Sequence, residues 1–198
     1  MLQRRFIPSR GALETSCSIS LTNSRSTDSL YSSSCSMYHN YVNIFVLSED
    51  PVEAAQMQCD KHVIKMILES GQMLCAAHPE GTAPWKRSHF NHPCTVWTRT
   101  TKANYEWLAV HGLELCAEYT RRYGRRHAAE DVLIWCAQNI PNNVPDGCLT
   151  PFVVAIKNKA YHRADVVSSY REYYLQDKVR FAKWRHCDPP TWWTNVLK

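Results

Sequence analysis

The sequence predicts an all-α protein, and three observations carry that expectation. Small and apolar residues recur at helical spacing at Val52, Ala55, Cys59, Val63, Met66, Ser70 and Leu74, and again at Leu108, Gly112, Leu115, Tyr119 and Tyr123. Pro51 and Pro93 stand at the first turns of such runs, and Gly124 closes the second as a left-handed terminator. No alternation of polar and apolar residues of strand type occurs.

Residues 1–42 stand apart. Eleven of them are Ser, with Arg4, Arg5, Arg10 and Arg25 interspersed, a composition that predicts disorder. No apolar core of a secretory signal follows the arginines. An organelle transit peptide and a working start at Met37 both stay open. The ordered domain is expected over residues 43–198, entering through the apolar run Val42 to Leu47 as a strand or a buried extended segment.

The first helix is expected from Pro51 to Ala77, with Asp50 as its cap and Glu53 completing a capping box. The second is expected from the Asn91-His92-Pro93 start to Tyr123, with a bend or restart at Thr98–Thr101. A third covers His127 to Gln138, and the Pro- and Asn-rich stretch 139–151 reads as a loop. A last helix covers Asp165 to Trp184, and the tail through Trp192-Trp193 is expected to be extended.

With 198 residues and 44% apolar side chains, the chain can bury a proper core. No stretch approaches the roughly 20 apolar residues of a membrane span, so no membrane partner is expected. Nine cysteines, an odd number without any Cys-x-x-Cys, suggest neither a disulfide scaffold nor a zinc ribbon and point to a reducing intracellular compartment. His89, His92 and Cys94 are metal-ligand types, but their spacing matches no zinc module. No metal and no cofactor is expected.

Charge is distributed unevenly. Residues 1–42 carry a net +2, residues 43–156 a net −2, and residues 157–198 a net +5. A basic periphery suits a polyanion, and DNA is the expected partner. Arg121, Arg122, Arg125, Arg126 and His127 form the densest basic run and read as a phosphate clamp. Asn91 and His92 at a helix start, and Arg171 and Lys178 among aromatic residues, join them as candidate nucleic-acid contacts. All of these also have bland readings as helix-dipole partners or solvated surface.

The candidate chemistry lies in two polar stripes. Gln58, His62, Lys65, Glu69 and Gln72 line one side of the first helix, flanked by apolar residues on both sides. Asn104, Trp107, His111, Glu114, Glu118 and Arg121 repeat the arrangement on the second. If the stripes face one cleft, His62, Lys65, Glu69 and Glu118 form a set able to move protons or supply a nucleophilic amine. Lys65 with Glu69, and Glu118 with Arg122, are equally at home as ordinary i,i+4 pairs.

From residue 43 onward the chain resembles a family of small proteins of phages and other viruses. The resemblance rests on Asn43-Ile44-Phe45, Asp50-Pro51, Asp60-Lys61-His62-Val63, Lys65-Met66-Ile67-Leu68-Glu69, Asn91-His92-Pro93, Arg122-Tyr123-Gly124 and His127. It implies action in an infected host cell. The order of an acidic first helix, Asn-His-Pro, and a helix ending in Arg-x-Tyr-Gly is also similar to that of the pyrimidine-dimer DNA glycosylases. That second resemblance implies cleavage of a glycosidic bond followed by strand nicking. In that family the N-terminal amine is the nucleophile, assisted by a Glu in the first helix, for which Glu69 is the match. Residues 1–42 depart from the pattern, since they precede the domain, and Lys65 is the substitute amine. The leading expectation is therefore a base-excision enzyme on damaged or modified DNA, with Glu69, Lys65, His62 and Glu118 as catalytic candidates. A non-catalytic nucleic-acid binder, or an enzyme on free nucleotides or a base-modifying transferase, stay open as alternatives.

Overall fold

Asp50 starts the first helix as its sequence requires. The computed structural model describes residues 42–196, so most of the Ser- and Arg-rich segment 1–42, with its expected disorder, lies outside the described residues. Helix α1 spans Pro51–Gln56, and Asp50 Oδ1 accepts from the N–H groups of Val52 and Glu53 at 2.9 Å each. The capping box is only half made: Glu53 accepts from the Ser48 hydroxyl instead, and that hydroxyl takes the Asp50 N–H.

The unbroken helix expected to Ala77 stops at Gln56 and restarts as α2, Asp60–Ala77. Tertiary partners make this break. Arg122 donates to the carbonyls of Gln56 and Gln58, and the Trp184 indole donates to that of Met57. The Asp60 N–H turns to the Lys183 carbonyl. Three carbonyls that a continuous helix would use internally are thus satisfied from outside.

Helix α3, Pro93–Thr98, is capped by the His92 ring, which accepts from the Cys94 N–H at 3.3 Å. The chain then restarts as α4, Lys102–Tyr123, with the Thr101 hydroxyl accepting from the Asn104 N–H. Thr98 and Thr100 bond back to the carbonyls of Cys94 and Val96, the side-chain competition that weakens a helix at such a run. Gly124 ends α4 at φ +67°, as its position demands.

Helix α5, Glu130–Gln138, begins three residues later than expected, because the His127 ring and carbonyl accept from Ala129 and Glu130 and form a turn first. After the loop comes a 3₁₀ turn, Lys159–Tyr161, which the sequence reading did not foresee. Helix α6 covers Val166–Tyr173 and widens into a π-turn over Tyr174–Lys178 instead of reaching Trp184. The segment 183–185 is drawn away to the α1–α2 break, where the Arg185 N–H meets Asp60 Oδ2 at 3.0 Å. The tail is not fully extended: α7, Thr191–Thr194, forms after Pro190, whose carbonyl accepts from Trp193 and Thr194.

No strand occurs among the described residues. Val42 to Leu47 is a buried extended segment. Helices α2 and α4 run antiparallel: Asp60 at the start of α2 meets Arg122 near the end of α4, and His78 just past α2 meets Tyr105 near the start of α4. They come close at Gly112, where a Cβ would lie 3.2 Å from that of Ser70. Among the described residues no helix is long and apolar enough to cross a membrane.

Candidate active site

The polar stripe of α2 divides into three environments rather than facing one cleft. Gln58, expected at the start of that stripe, lies in the break before α2, where it is buried and donates to His111 on α4, with 3.1 Å between Nε2 atoms. The other His111 nitrogen, Nδ1, lies 3.0 Å from the Pro51 carbonyl, which can only accept, so Nδ1 carries the proton and Nε2 accepts. One turn on, His62 Nδ1 shares a hydrogen bond with the Tyr174 hydroxyl, and its ring stacks on Phe45 at 4.2 Å.

Further along lies the arrangement that matters most. Glu69 is buried, with its side chain 6% exposed. Its Oε1 is 2.9 Å from Lys65 Nζ, and its Oε2 accepts from the backbone N–H of Asn43 at 2.9 Å. Asn43 is fixed from every side. Its Oδ1 accepts from the Tyr170 hydroxyl at 2.7 Å and from its neighbour Ile44 N–H, and its Nδ2 donates to the Ala155 carbonyl. The Cys94 thiol lies 3.8 Å from the same Oδ1. The extended entry segment is thereby pinned so that one particular backbone nitrogen meets one particular carboxylate.

Electrostatics separate the groups by task. Burial raises the Glu69 carboxyl above its usual range, against the opposing pull of Lys65, the Asn43 N–H and nearby His89. Burial holds His62 down at about 3, helped by Lys178 and Lys65, and holds His111 at about 4. His62 is therefore neutral near pH 7 and is a structural partner of Tyr174 rather than a proton carrier. The Cys94 thiol is pushed up to about 12 by burial and is inert as a nucleophile.

Glu118 does not join Glu69, contrary to the shared crevice that the stripes suggested. It pairs with Arg121 and, at 2.7 Å, with Arg122, whose Nη1 also reaches Asp60 Oδ1 at 3.3 Å. Asp60 opens α2 and Glu69 follows nine residues later, so this cluster sits about 13 Å away along the helix. Helical periodicity relates His62, Lys65 and Glu69 within α2, but it could not foresee the break that removes Gln58 from that helix or the level at which each side chain finds its partner.

The basic candidates also divide. Arg122 is buried, its side chain 1% exposed, so it is a structural strut and not a phosphate ligand. Arg171 is likewise turned inward: it donates twice to the Leu47 carbonyl and lies over Trp192. Lys178 is held by the Tyr173 hydroxyl and Asp177. Arg121, Arg125 and Arg126 are exposed, though Arg126 pairs with Glu130 and Asp131 and Arg125 with the Tyr119 hydroxyl. Asn91 is exposed, His92 caps α3, and His127 shapes the turn before α5. Sequence reasoning missed Asn43 and the role of Tyr170. The signal was there in part: Asn43 is a lone polar residue inside an apolar run.

Neutral His62 and His111 make stability pH-dependent. Both have folded values below the unfolded value of about 6.5, so their contribution is complete above that pH and is lost as pH falls toward 4 and 3. Glu69 acts in the opposite sense, since its raised value favours the folded state on acidification. The two buried imidazoles dominate, and acidification from pH 7 to 5 is expected to cost on the order of 3 kcal/mol. Urea midpoints at the two pH values check this; equal midpoints would show that the imidazoles are already solvated.

Fold and site together define a small helical protein with a buried carboxylate clamped to the nitrogen of an entering chain segment. Residues 42–131 match the family described as pyrimidine dimer DNA glycosylase. The match spans Asn43, Lys65, Glu69 and the Glu118–Arg122 cluster, and stops inside α5, before Tyr170. Neither the curated proteins nor the solved structures contain a match.

Proposed function

We propose that the protein is a DNA glycosylase-type base-excision enzyme that also nicks the strand at the excised site. The observation that carries this reading is the placement of two nitrogens, Asn43 N and Lys65 Nζ, each 2.9 Å from an oxygen of buried Glu69. The family match over 42–131 supports the same class of chemistry on DNA.

In the reaction, an amine attacks C1′ of the flipped nucleotide. The glycosidic bond breaks, and its electron pair leaves with the base, which takes up a proton. The amine loses a proton to Glu69, whose raised affinity suits that transfer; the C1′–O4′ bond then breaks, its electron pair going to O4′, which takes up a proton, and the opened sugar is left as an imine. Loss of a C2′ proton then expels the 3′ phosphate, and water releases the enzyme from the imine. In the intact chain Asn43 N is an amide and cannot attack, so Lys65 is the amine present; its side chain is 58% exposed and open to a substrate. A chain beginning at Asn43 would instead place its α-amine against Glu69. Exposed Arg121, Arg125 and Arg126 serve as phosphate contacts, and Glu118 holds the arginines rather than taking part in chemistry. The free thiols among the described residues, Cys59 to Cys187, support action in a reducing intracellular compartment. The sequence resemblance supports a viral setting.

Borohydride trapping tests this. The full chain is incubated with duplexes carrying an abasic site or a pyrimidine dimer, reduced, digested, and the modified amine located by mass. An adduct on Lys65 is the expected result for the full chain, and one on the Asn43 α-amine for a chain that begins there. No adduct and no nick on any lesion would remove the reading.

A further inference from the structure

Between α2 and α3 runs a loop whose side chains the folded domain does not use up. Trp85 packs it against α2 at Gly71, two residues past Glu69, where a Cβ would come within 2.6 Å of the indole. Arg87 ties it to the His78 carbonyl at 2.8 Å. His89 has φ +50°, a left-handed conformation uncommon for a side-chain-bearing residue, and it lies near enough to Glu69 and His92 to influence both electrostatically. Its Nδ1 is buried without a hydrogen-bond partner, and so is Arg87 Nε.

Next to His89 stands Phe90, a large apolar side chain left 36% exposed. Two guanidinium groups lie against its ring, Arg99 at 3.8 Å and Arg87 at 4.5 Å from the centroid. Arg99 also donates to the Phe90 carbonyl. Arg87 also pairs with the solvent-exposed Glu80 carboxylate, at 3.7 Å. Cations gathered on an aromatic ring stiffen it and leave edge N–H groups for an anion. The two positive charges also weaken each other: burial and Arg87 together lower the Arg99 value. An anion seated there relieves that repulsion.

We infer that Phe90, braced by Arg87 and Arg99, is the wedge that enters the DNA stack beside the flipped nucleotide while the two arginines hold flanking phosphates. The inference rests on the base-excision reading and deepens it: it names the group that fills the gap left in the duplex. Apolar wedges with adjacent cations are a general means of unstacking a base step, and the loop's fixed attachment next to Glu69 puts this one where the extruded nucleotide must pass.

The test uses the full chain carrying Glu69→Gln, so that binding is read without turnover. The probes are a duplex with a tetrahydrofuran abasic analogue and 2-aminopurine as the neighbouring base, and the matching undamaged duplex. The parent is expected to raise 2-aminopurine fluorescence on the lesion duplex. Phe90→Ala is expected to lose that rise and about tenfold in affinity for the lesion duplex, with undamaged-duplex affinity nearly unchanged. Phe90→Trp is expected to keep the rise. Arg99→Ala is expected to weaken both duplexes and lower the salt slope by about one. Should Phe90→Ala fail to fold by circular dichroism, Phe90→Leu takes its place with the same expected loss of the rise. A Phe90→Ala protein with parental rise and affinity overturns the wedge while a trapped adduct leaves base excision standing. No response from the parent on either duplex overturns both.

Discussion

Glu69→Gln is expected to lower strand nicking at abasic sites by at least about 100-fold while the protein stays folded. Gln keeps the size of the side chain and an oxygen to accept the Asn43 N–H, so the entry segment remains pinned. What it loses is the ionisable group beside the attacking amine, and general acid–base partners typically contribute 10²–10⁴ in rate. The same group predicts the shape of the pH profile. Because burial raises Glu69, the acidic limb of nicking is expected above the ordinary carboxylate range, where the carboxylate form is lost on acidification. Single-turnover nicking rates for both proteins across pH decide the matter. A Gln variant with near-parental rates would reduce Glu69 to a cap for the entry segment. A limb in the ordinary Glu range would mean that the carboxyl is solvated when DNA is bound.

Arg122→Ala is expected to cost about 3 kcal/mol of stability, the largest loss foreseen for any single surface-distant charge here. The guanidinium is buried and makes four bonds, to Glu118, Asp60 and the carbonyls of Gln56 and Gln58. Removing it leaves two carboxylates and two carbonyls facing an empty space, and breaking a buried pair in this way costs 3–5 kcal/mol. Arg121 still reaches Glu118, which puts the expectation at the lower end. Arg122→Lys should recover little, because an ammonium cannot reproduce the planar fork that serves several acceptors at once. Arg126→Ala, at an exposed ion pair, should change stability by less than about 1 kcal/mol. Urea unfolding of the three variants checks the series. An Arg122→Ala protein within 1 kcal/mol of the parent would show that water already enters the cluster.

These two residues also show how far the amino-acid sequence reached. The stripe His62, Lys65, Glu69 was visible from spacing alone, and so was the pairing of Lys65 with Glu69 and of Glu118 with Arg122. Each is an i,i+4 relation fixed by helix geometry. Arg122, by contrast, looked like part of an exposed basic run. Nothing local distinguishes it from Arg121 or Arg125; its burial follows from where α4 ends against the α1–α2 break. Asn43 was passed over because its partner, Glu69, is 26 residues away.

The sequence by itself determined the helical class and several of the helix starts and stops: Asp50 and Pro51, Pro93, Gly124, Asp165. Those signals act within a turn or two of chain, through caps, fixed φ angles and left-handed glycine, so they need no tertiary partner. Only the folded molecule decided that the first helix breaks at residues 57–59, that the last one yields at Tyr174, and that Glu69 and Glu118 serve different ends of the domain. Each of those outcomes depends on which distant donor satisfies a freed carbonyl or a buried carboxylate, and that choice is made by packing rather than by periodicity.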